Sequence, residues 1–381
     1  MKNIAVLGST GSIGVQTLEV LRDLPDAGRV CALCAGGNGD ALLKQALEFR
    51  PRLVCMENEA EAARIRPALP KGTELVAGPQ AACAAAAFEG ADTVVNGISG
   101  FAGTKPLLAA LEAGKRVALA NKESIVCAHG LVELAMEKGG GMIIPVDSEQ
   151  SALFQCLAAG NREDVNKLIL TASGGPFRTM KREELARVTP EMAAHHPTWS
   201  MGAKITIDSA TLFNKGLEIM EASYLFRVPG ERIEVLVHPE SIVHSMVEFR
   251  DHSVIAQMSA PDMRVAIHYA LTWPVRAQSG FGALELAKAG QLTFERPDGE
   301  RFPAIPLAYE ALRRGGGAPA VYNGANEAAV TLFRRGEIGF LDIPELVAFA
   351  LDQMGACEFR SFEELLETDA EARRLVFGKV R

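Results

Sequence analysis

The sequence predicts an α/β fold in three parts: an N-terminal parallel sheet covered by helices, a central α+β region and a C-terminal helical bundle. Short apolar runs alternate with helical patterns from residue 2 to 146, which is typical of βαβ units. Strand-like runs dominate residues 232–259, where two of them flank a polar turn as in an antiparallel hairpin. From residue 304 onward only helical periodicity remains, which indicates a small bundle.

The individual elements follow from these patterns. Seven apolar runs are predicted to form the parallel sheet: residues 2–7, 30–35, 52–56, 73–77, 92–96, 116–120 and 142–146. The central region has predicted strands at 167–173, 232–237, 241–249 and 253–259 and predicted helices near 149–159, 209–222 and 262–271. The chain is therefore divided into four predicted segments: 1–147, 148–274, a linker at 275–303 and 304–381.

Composition favours a globular protein that handles small molecules. The 381 residues are 48% hydrophobic and 23% charged, and a formal charge of -8 argues against a nucleic-acid partner. We expect a cytoplasmic location and no membrane partner, because no signal-peptide core or membrane-spanning run is evident. The odd count of seven cysteines, with Cys31 and Cys34 inside a strand-like run, indicates reduced thiols in the core rather than a zinc or redox site.

A glycine-rich turn follows the first predicted strand. Residues 8–14 read G-S-T-G-S-I-G and lead into a helix, so a diphosphate could approach the helix N-terminus closely. The spacing differs from G-x-G-x-x-G, but its place after the first strand of a βαβ domain predicts a Rossmann-like dinucleotide site rather than a plain turn. The second strand ends in A-G-G-N-G with Asp40 beyond it, so no acid is placed to repel a 2′-phosphate. This favours NADP(H).

Two acids follow the last strand of the predicted sheet. Asp147 and Glu149 stand two positions apart, so in an extended chain their carboxylates would share one face. Repulsion leaves three options: one acid is protonated, a cation lies between them, or both are solvated at a strand end. Glu218, on a largely apolar helix, shares a polar stripe with Asn214 and Lys215 and would add a third carboxylate. Three such oxygen ligands suit Mg²⁺ or Mn²⁺.

Several other segments allow a functional and a structural interpretation. Lys122 would neutralise a phosphate, or it would lie in a solvated helix start capped by Asn121. The run 170–176, L-T-A-S-G-G-P, resembles an anion cradle, with a simple turn as the alternative. Residues 188–204 combine paired histidines and a tryptophan with chain breakers, which suits a lid that closes over substrate, with a merely exposed loop as the alternative. His238 and His244 suit the core as well as they suit ligands.

Seven motifs in order resemble one family. They are G-S-T-G-S-I-G, A-N-K-E-S, P-V-D-S-E-Q-S-A, T-A-S-G-G-P-F, H-P-T-W-S-M-G, D-S-A-T-L-F-N-K-G-L-E and H-P-E-S-I-V-H-S-M. Together they resemble the 1-deoxy-D-xylulose 5-phosphate reductoisomerases over residues 1–275, and the helical tail fits that family's C-terminal bundle. The resemblance implies an NADPH-binding domain at 1–147 and a catalytic domain at 148–274 with the lid at 188–204. It also implies a homodimer.

The resemblance implies a role for each matching residue. NADPH would be held by Thr10, Gly11, Ser12, Ile13, Gly36, Asn38, Asn121, Glu123 and Gly202. The metal ligands and catalytic carboxylates would be Asp147, Glu149 and Glu218, with the catalytic Lys122 and with Ser148 at the reacting end of a phosphosugar. The remaining substrate contacts would be Ser173, His196, Trp199, Ser209, Asn214 and Lys215. Many family members carry a basic residue where this chain has Gly37, so the strictness of NADPH over NADH stays open.

The implied reaction joins two steps. A metal-assisted rearrangement of the carbon skeleton gives a branched aldehyde, and NADPH reduces it to 2-C-methyl-D-erythritol 4-phosphate, a step of non-mevalonate isoprenoid biosynthesis. Two other hypotheses stay open at this point. A semialdehyde-type dehydrogenase has a similar glycine turn but needs a cysteine nucleophile beside a base, and neither Cys127 nor Cys156 has such a setting. A non-enzymatic NADP-sensing module would bind the cofactor without turnover.

Overall fold

The computed structural model describes residues 2–195 and 202–380. Its first sheet contains seven parallel strands in the order β4-β3-β2-β1-β5-β6-β7, and its second is a mixed sheet in the order β11-β10-β8-β9. The strands of the first sheet are β1 (Asn3–Leu7), β2 (Arg29–Ala35), β3 (Leu53–Met56), β4 (Glu74–Ala77), β5 (Thr93–Asn96), β6 (Arg116–Leu119) and β7 (Met142–Pro145). Those of the second are β8 (Val165–Ala172), β9 (Ile233–Val237), β10 (Val243–Phe249) and β11 (Val254–Met258).

Helices connect these strands and form the C-terminal bundle. The first seven are α1 (Ser12–Asp23), α2 (Gly39–Phe49), α3 (Glu59–Ile65), α4 (Ala81–Ala86), α5 (Thr104–Glu112), α6 (Lys122–Gly139) and α7 (Ser148–Cys156). They are followed by α8 (Arg182–Leu185), α9 (Pro190–Ala193), α10 (Ala203–Ala210), α11 (Phe213–Phe226), α12 (Met263–Thr272) and α13 (Leu286–Ala289). The last four are α14 (Ala304–Arg314), α15 (Ala318–Arg334), α16 (Asp342–Met354) and α17 (Phe362–Val380). None of the helices in the described ranges combines the length and apolar character needed to cross a membrane.

Internal contacts divide the chain into two compact units. The first comprises Met1–Ser124, His129–Ser151 and Asp262–Gly282. The second comprises Ile125–Ala128, Ala152–Pro261 and Ala283–Arg381. The chain thus returns to the first unit after building much of the second, and α12 packs there against α1.

The first unit is built around the parallel sheet. Its inner strands are continuous apolar runs, such as residues 4–7 and 30–35, because helices cover both faces of a parallel sheet. Helices start where the sequence offers caps: the Asn38 side chain accepts the backbone N–H of Ala41 at 3.1 Å, and Asn58 accepts that of Glu61. All seven strands run in the same direction, so the segments after their carboxyl ends gather at one edge.

The second unit combines the mixed sheet with a helical bundle. In the bundle α15 packs against α14, α16 and α17, and it is buried along most of its length. The aromatic rings of Phe213 and Tyr322 lie 5.0 Å apart, which joins α11 to α15, and the Tyr322 hydroxyl donates to the Ala304 carbonyl. An isolated bridge between Val237 and Glu295 attaches the predicted linker to β9.

The predicted fold class is confirmed, including the antiparallel hairpin, which is β10 and β11. The predicted helix at 209–222 is wrong in its bounds, because Leu212 adopts a left-handed backbone at φ 63° and separates α10 from α11. The extended geometry assumed for Asp147 and Glu149 is also wrong. Strand β7 ends at Pro145 and α7 starts at Ser148, so Glu149 lies in the first turn of a helix.

Candidate active site

The glycine turn after β1 is shaped by close backbone approaches. Gly8 has a φ of +69°, and a Cβ placed at Gly14 would lie 2.3 Å from the Gly8 carbonyl oxygen. Only glycine permits this packing of α1 onto the turn. The Ser9 N–H donates to the Cys34 carbonyl at 2.9 Å, and the Gln45 amide donates to the Ser9 carbonyl. The turn is therefore fixed against the end of β2, as a dinucleotide site requires.

The residues predicted to contact the cofactor are partly exposed at this edge. Gly11, Ser12, Gly36 and Asn38 are exposed, and Thr10, Ile13 and Glu123 are half-buried. Gly202, at the start of the second described range, is exposed too.

Asn121 is buried and has a structural role that the sequence left open. Its amide donates to the Gly100 carbonyl at 2.8 Å and to Glu123 at 3.2 Å, while its oxygen accepts the backbone N–H of Ser124. Asn121 therefore caps α6, as one of the two alternatives proposed. The structure also shows that Lys122 is not solvated, since it is 6% exposed.

Lys122 pairs with the first of the predicted metal-binding acids. Its ammonium group forms an ion pair with the Asp147 carboxylate, and both side chains are less than a tenth exposed. Charged groups that are buried to this extent are stable only when they are paired with an opposite charge or coordinate a metal ion. The Ser148 hydroxyl donates to the Glu149 carboxylate and so fixes its orientation. The option of two solvated acids at a strand end is therefore wrong for Asp147, which is buried.

The polar stripe predicted on α11 is confirmed. The Asn214 amide donates to Glu218 at 2.5 Å, and the Lys215 ammonium pairs with the other oxygen of the same carboxylate. Glu218 is 1% exposed and Lys215 3% exposed, although both belong to residue types that are rarely buried. Buried charges of this kind are expected at functional sites rather than on a packing face.

Three carboxylates come together in the structure. Asp147, Glu149 and Glu218 each offer one oxygen, and these atoms all lie within 4.8 Å of one another. Glu149 is half-buried and the other two are buried. A donor set of carboxylate oxygens fits a hard divalent cation such as Mg²⁺, which prefers oxygen ligands and keeps positions for water or substrate oxygens.

A second polar group of residues forms where β8 ends. Gly174 and Gly175 both have positive φ values, and the Gly175 N–H donates to the Ser173 hydroxyl at 3.3 Å. A Cβ placed at Gly175 would lie 2.7 Å from the carbonyl oxygen of Ser209, so this turn is packed directly against α10. Both serines are half-buried. Hydroxyls and glycine backbone together can bind an anion.

The two histidines predicted as either core residues or ligands, His238 and His244, are both buried but have different hydrogen-bond partners. His238 is fully buried: its Nδ1 lies 2.8 Å from the Thr293 carbonyl, while its Nε2 accepts the N–H groups of Ile242 and Val243. His244 lies 2.8 Å from the Ser259 hydroxyl and is also buried. His238 therefore holds its loop in place, and His244 lies in the core.

His196 and Trp199, the substrate contacts predicted in the lid, lie outside the described residues. His195, just before them, is exposed and contacts the Glu191 carbonyl.

A buried polar network behind Ser209 has no counterpart among the predictions from the sequence. Asp208 is 2% exposed, and it accepts hydrogen bonds from the Asn326 amide at 2.8 Å and from the Lys204 ammonium at 2.9 Å. The i, i+4 spacing of Lys204 and Asp208 is the sequence signal that could have revealed their ion pair. No sequence signal points to Asn326, because it is more than a hundred residues away in the chain.

Three family models match the chain. The model described as 1-deoxy-D-xylulose 5-phosphate reductoisomerase matches residues 4–129, its C-terminal domain model matches 143–226, and a DXP reductoisomerase C-terminal domain model matches 258–375. The chain belongs to the 1-deoxy-D-xylulose 5-phosphate reductoisomerase family. Reductoisomerases of Chlorobaculum tepidum and a Geobacillus species are 51% and 50% identical to it, over 98% and 99% of both chains.

Solved reductoisomerase structures share the fold. The Zymomonas mobilis enzyme in complex with NADPH superposes with a TM-score of 0.94 at 44% identity, over 100% of this chain and 99% of that one. A reductoisomerase in complex with NADPH, fosmidomycin and magnesium gives 0.93 at 39% identity, over 100% and 98%. Because the chain belongs to this family, the hypotheses of a semialdehyde-type dehydrogenase and of a non-enzymatic NADP-sensing module are rejected. The thiols of Cys127 and Cys156 are buried, as a structural role requires.

Proposed function

We infer that this chain catalyses the NADPH-dependent conversion of 1-deoxy-D-xylulose 5-phosphate to 2-C-methyl-D-erythritol 4-phosphate in non-mevalonate isoprenoid biosynthesis. The observation that carries this is similarity along the whole chain, 51% identity over 98% of both sequences to a reductoisomerase. The reaction rearranges the carbon skeleton of the ketose phosphate and reduces the resulting aldehyde, so one site must serve an isomerisation and a hydride transfer.

Asp147, Glu149 and Glu218 are proposed as the ligands of a divalent cation, Mg²⁺ or Mn²⁺. Support comes from the short distances among their oxygens and from the magnesium in a related structure. When bound, the cation would act as a Lewis acid on the ketone and hydroxyl oxygens of the substrate, and NADPH would supply the hydride. The three acids outnumber the two lysines that pair with them, Lys122 and Lys215, so the group carries a net negative charge that attracts a cation.

The neighbouring polar residues are proposed to orient the reacting end of the substrate. Lys122 forms an ion pair with Asp147, and Ser148 holds the Glu149 carboxylate by a hydrogen bond. These contacts fix two of the three carboxylates before substrate arrives. Preorganised charges of this kind stabilise a developing negative charge without further rearrangement. Lys122 and Ser148 are also proposed to contact the substrate oxygens.

Ser173, Ser209, Asn214 and Lys215 are proposed to bind the substrate phosphate. The turn of Ser173 packs against Ser209, and Asn214 and Lys215 follow five and six residues after Ser209, at the start of α11. Binding energy from a phosphate remote from the reacting carbons can be used to hold the substrate for chemistry. His196 and Trp199 are proposed to cover the substrate on the strength of the family resemblance.

NADPH is proposed to bind along the edge of the parallel sheet. Its predicted contacts are Thr10, Gly11, Ser12, Ile13, Gly36, Asn38, Asn121, Glu123 and Gly202. The tight glycine turn and its hydrogen bonds to β2 support this position for the diphosphate and the adenosine ribose. The four-part division at residues 147, 274 and 303 is likewise proposed as the functional organisation of the chain.

A homodimer and a cytoplasmic location complete the proposal. The edge strand β11 exposes Val254 and Ile255 at 46% and 38%, and an exposed apolar strand edge is suited to pairing with another chain. Among the described residues, Cys31, Cys34, Cys55, Cys83 and Cys357 form no disulfide, which fits a reducing compartment.

Nicotinamide absorbance provides the test. Adding 1-deoxy-D-xylulose 5-phosphate, NADPH and Mg²⁺ or Mn²⁺ should produce a loss of NADPH absorbance in proportion to substrate, and EDTA should stop it. If NADPH is not consumed with either metal, the proposed activity is wrong. Turnover that EDTA leaves unchanged would retain the reaction but remove the metal-binding role of the three acids.

A further inference from the structure

The end of β2 offers space but little positive charge for the adenosine end of the cofactor. Gly36 and Gly37 are exposed, and a Cβ placed at Gly37 would meet no atom within 4 Å. The nearest carboxylate to Gly36 is Glu57, whose oxygen would lie 3.8 Å from a Cβ there. Between residues 36 and 43 the one charged residue is Asp40. The loop itself therefore holds no cation for a 2′-phosphate.

A cation reaches this loop from the neighbouring helix. Arg64, on α3, bonds the Asp40 carboxylate and the Glu61 carboxylate, each at 2.7 Å. Its terminal nitrogen would lie 2.8 Å from a Cβ at Gly39, the first residue of α2. The guanidinium is thus held against the helix that begins directly after the exposed glycines, and its side chain is 48% exposed.

We propose that Arg64 selects NADPH over NADH in this chain by exchanging its contact with Asp40 for one with the 2′-phosphate. This rests on the proposed function, which makes NADPH the cofactor. A guanidinium binds phosphate oxygens in a bidentate manner, and the N-terminus of α2 adds a favourable dipole. Exposed ion pairs are weak, so the Asp40 contact is readily exchanged.

The same geometry limits the selectivity. Asp40 and Glu61 compete with the phosphate for Arg64, and Glu57 adds a further negative charge near Gly36. The attraction for the 2′-phosphate is therefore reduced, and NADH, which lacks this group, is accepted more readily than a site with an unpaired arginine would allow. Selectivity between the two nucleotides should also fall as salt screens the exposed charges.

Calorimetric titration of the full chain with NADPH and with NADH, without substrate, provides the test. Arg64→Gln should raise the Kd for NADPH about tenfold and change the Kd for NADH less than twofold. Asp40→Asn should lower the Kd for NADPH several-fold, because it removes a competitor. Arg22→Gln is the matched control, since Arg22 forms a similar exposed pair with Glu48 and should alter neither Kd.

Two results would overturn this proposal and leave the proposed function intact. One is an Arg64→Gln variant whose affinities for the two nucleotides are unchanged or fall equally. The other is an Asp40→Asn variant that binds NADPH no more tightly than the wild type. Arg64→Lys, which keeps the charge, should recover part of the NADPH affinity and so separates loss of charge from loss of fold. A wild-type chain that binds neither nucleotide would overturn the proposed function itself, and this inference with it.

Discussion

At the residue scale, the site depends on charges that the fold keeps out of water. Glu218 and Lys215 are almost fully buried, and Asp147 is paired with an equally buried Lys122. Removing one member of such a pair leaves the other uncompensated, which is costly in free energy. At these positions, isosteric substitutions that keep the shape of the side chain are therefore tolerated better than substitutions that remove the side chain.

Glu218→Gln keeps the shape of the side chain and its bond to Asn214 but removes the charge that a cation needs. We expect kcat to fall about 100-fold or more, since changes even beyond the ligands of a metal cost about 10- to 100-fold. The Kd for NADPH should stay within twofold of the wild type. Steady-state rates across a Mg²⁺ titration measure this, with the exposed Glu231→Gln as a control. Near-full activity would remove Glu218 from the metal site.

His268 should make stability depend on pH. Burial lowers its pKa, while a backbone hydrogen bond with Gln278 partly opposes the shift. Because the unfolded chain then binds a proton more readily, stability is complete above about pH 6.5 and falls as the pH drops below it. The loss is at most about 1.4 kcal/mol per pH unit.

Urea unfolding at pH 7.5 and at pH 5.5 measures this effect of His268. The wild type should lose more free energy of unfolding between the two pH values than His268→Gln does. Equal losses in the two proteins would show that His268 is protonated equally in the folded and unfolded states.

At the element scale, α10 is held by the bundle through a polar network. Lys204 and Asp208 on α10 contact each other, and Asn326 on α15 donates to Asp208. Glu327, also on α15, lies 3.7 Å from Lys204 and accepts from Arg373 of α17 at 2.6 Å. Three helices are thereby joined beneath Ser209, one of the proposed phosphate ligands.

Asn326→Leu should lower the free energy of unfolding by about 1–3 kcal/mol, because the buried Asp208 loses one of its hydrogen-bond donors. Denaturant unfolding measures the change. Asn166→Leu removes an amide–carboxylate bond of similar type at an exposed position and should cost much less. Equal losses of unfolding free energy in the two variants would mean that burial does not strengthen the contribution of the Asp208 contact to stability.

Sequence patterns predicted these elements unequally. The strands of the parallel sheet were located within a residue or two, because continuous apolar runs between helices allow few other structures. The break between α10 and α11 was not predicted, since Leu212 is not a residue type that favours a left-handed backbone. Tertiary packing decides that conformation, and no local pattern reports it.

At the scale of the whole molecule, the motifs identified the family, while the contacts among distant residues required the structure. The carboxylates and their spacing indicate a cation site, yet the predicted extended geometry of Asp147 and Glu149 is wrong, because Glu149 lies in α7. Asn326, the partner of Asp208, and Arg64, the partner of Asp40, have no recognisable sequence signal. In a sequence, a buried amide or a surface arginine cannot be told from other residues of the same type.

The exposed edge of β11 predicts the oligomeric state. Ile255→Lys places a charge on this apolar edge and should shift the proposed dimer toward monomer in analytical ultracentrifugation. Val275→Lys, at a position that is 64% exposed, is the control and should leave the sedimentation coefficient unchanged. An Ile255→Lys variant that sediments like the wild type would place the dimer contact elsewhere.

The return of residues 262–282 to the first unit has a consequence for biosynthesis. Helix α12 covers α1, so the nascent polypeptide emerging from the ribosome cannot complete its first unit when the last strand of the parallel sheet appears. The surface of α1 stays uncovered until translation has passed through most of the central region. During that interval it is a natural target for a chaperone.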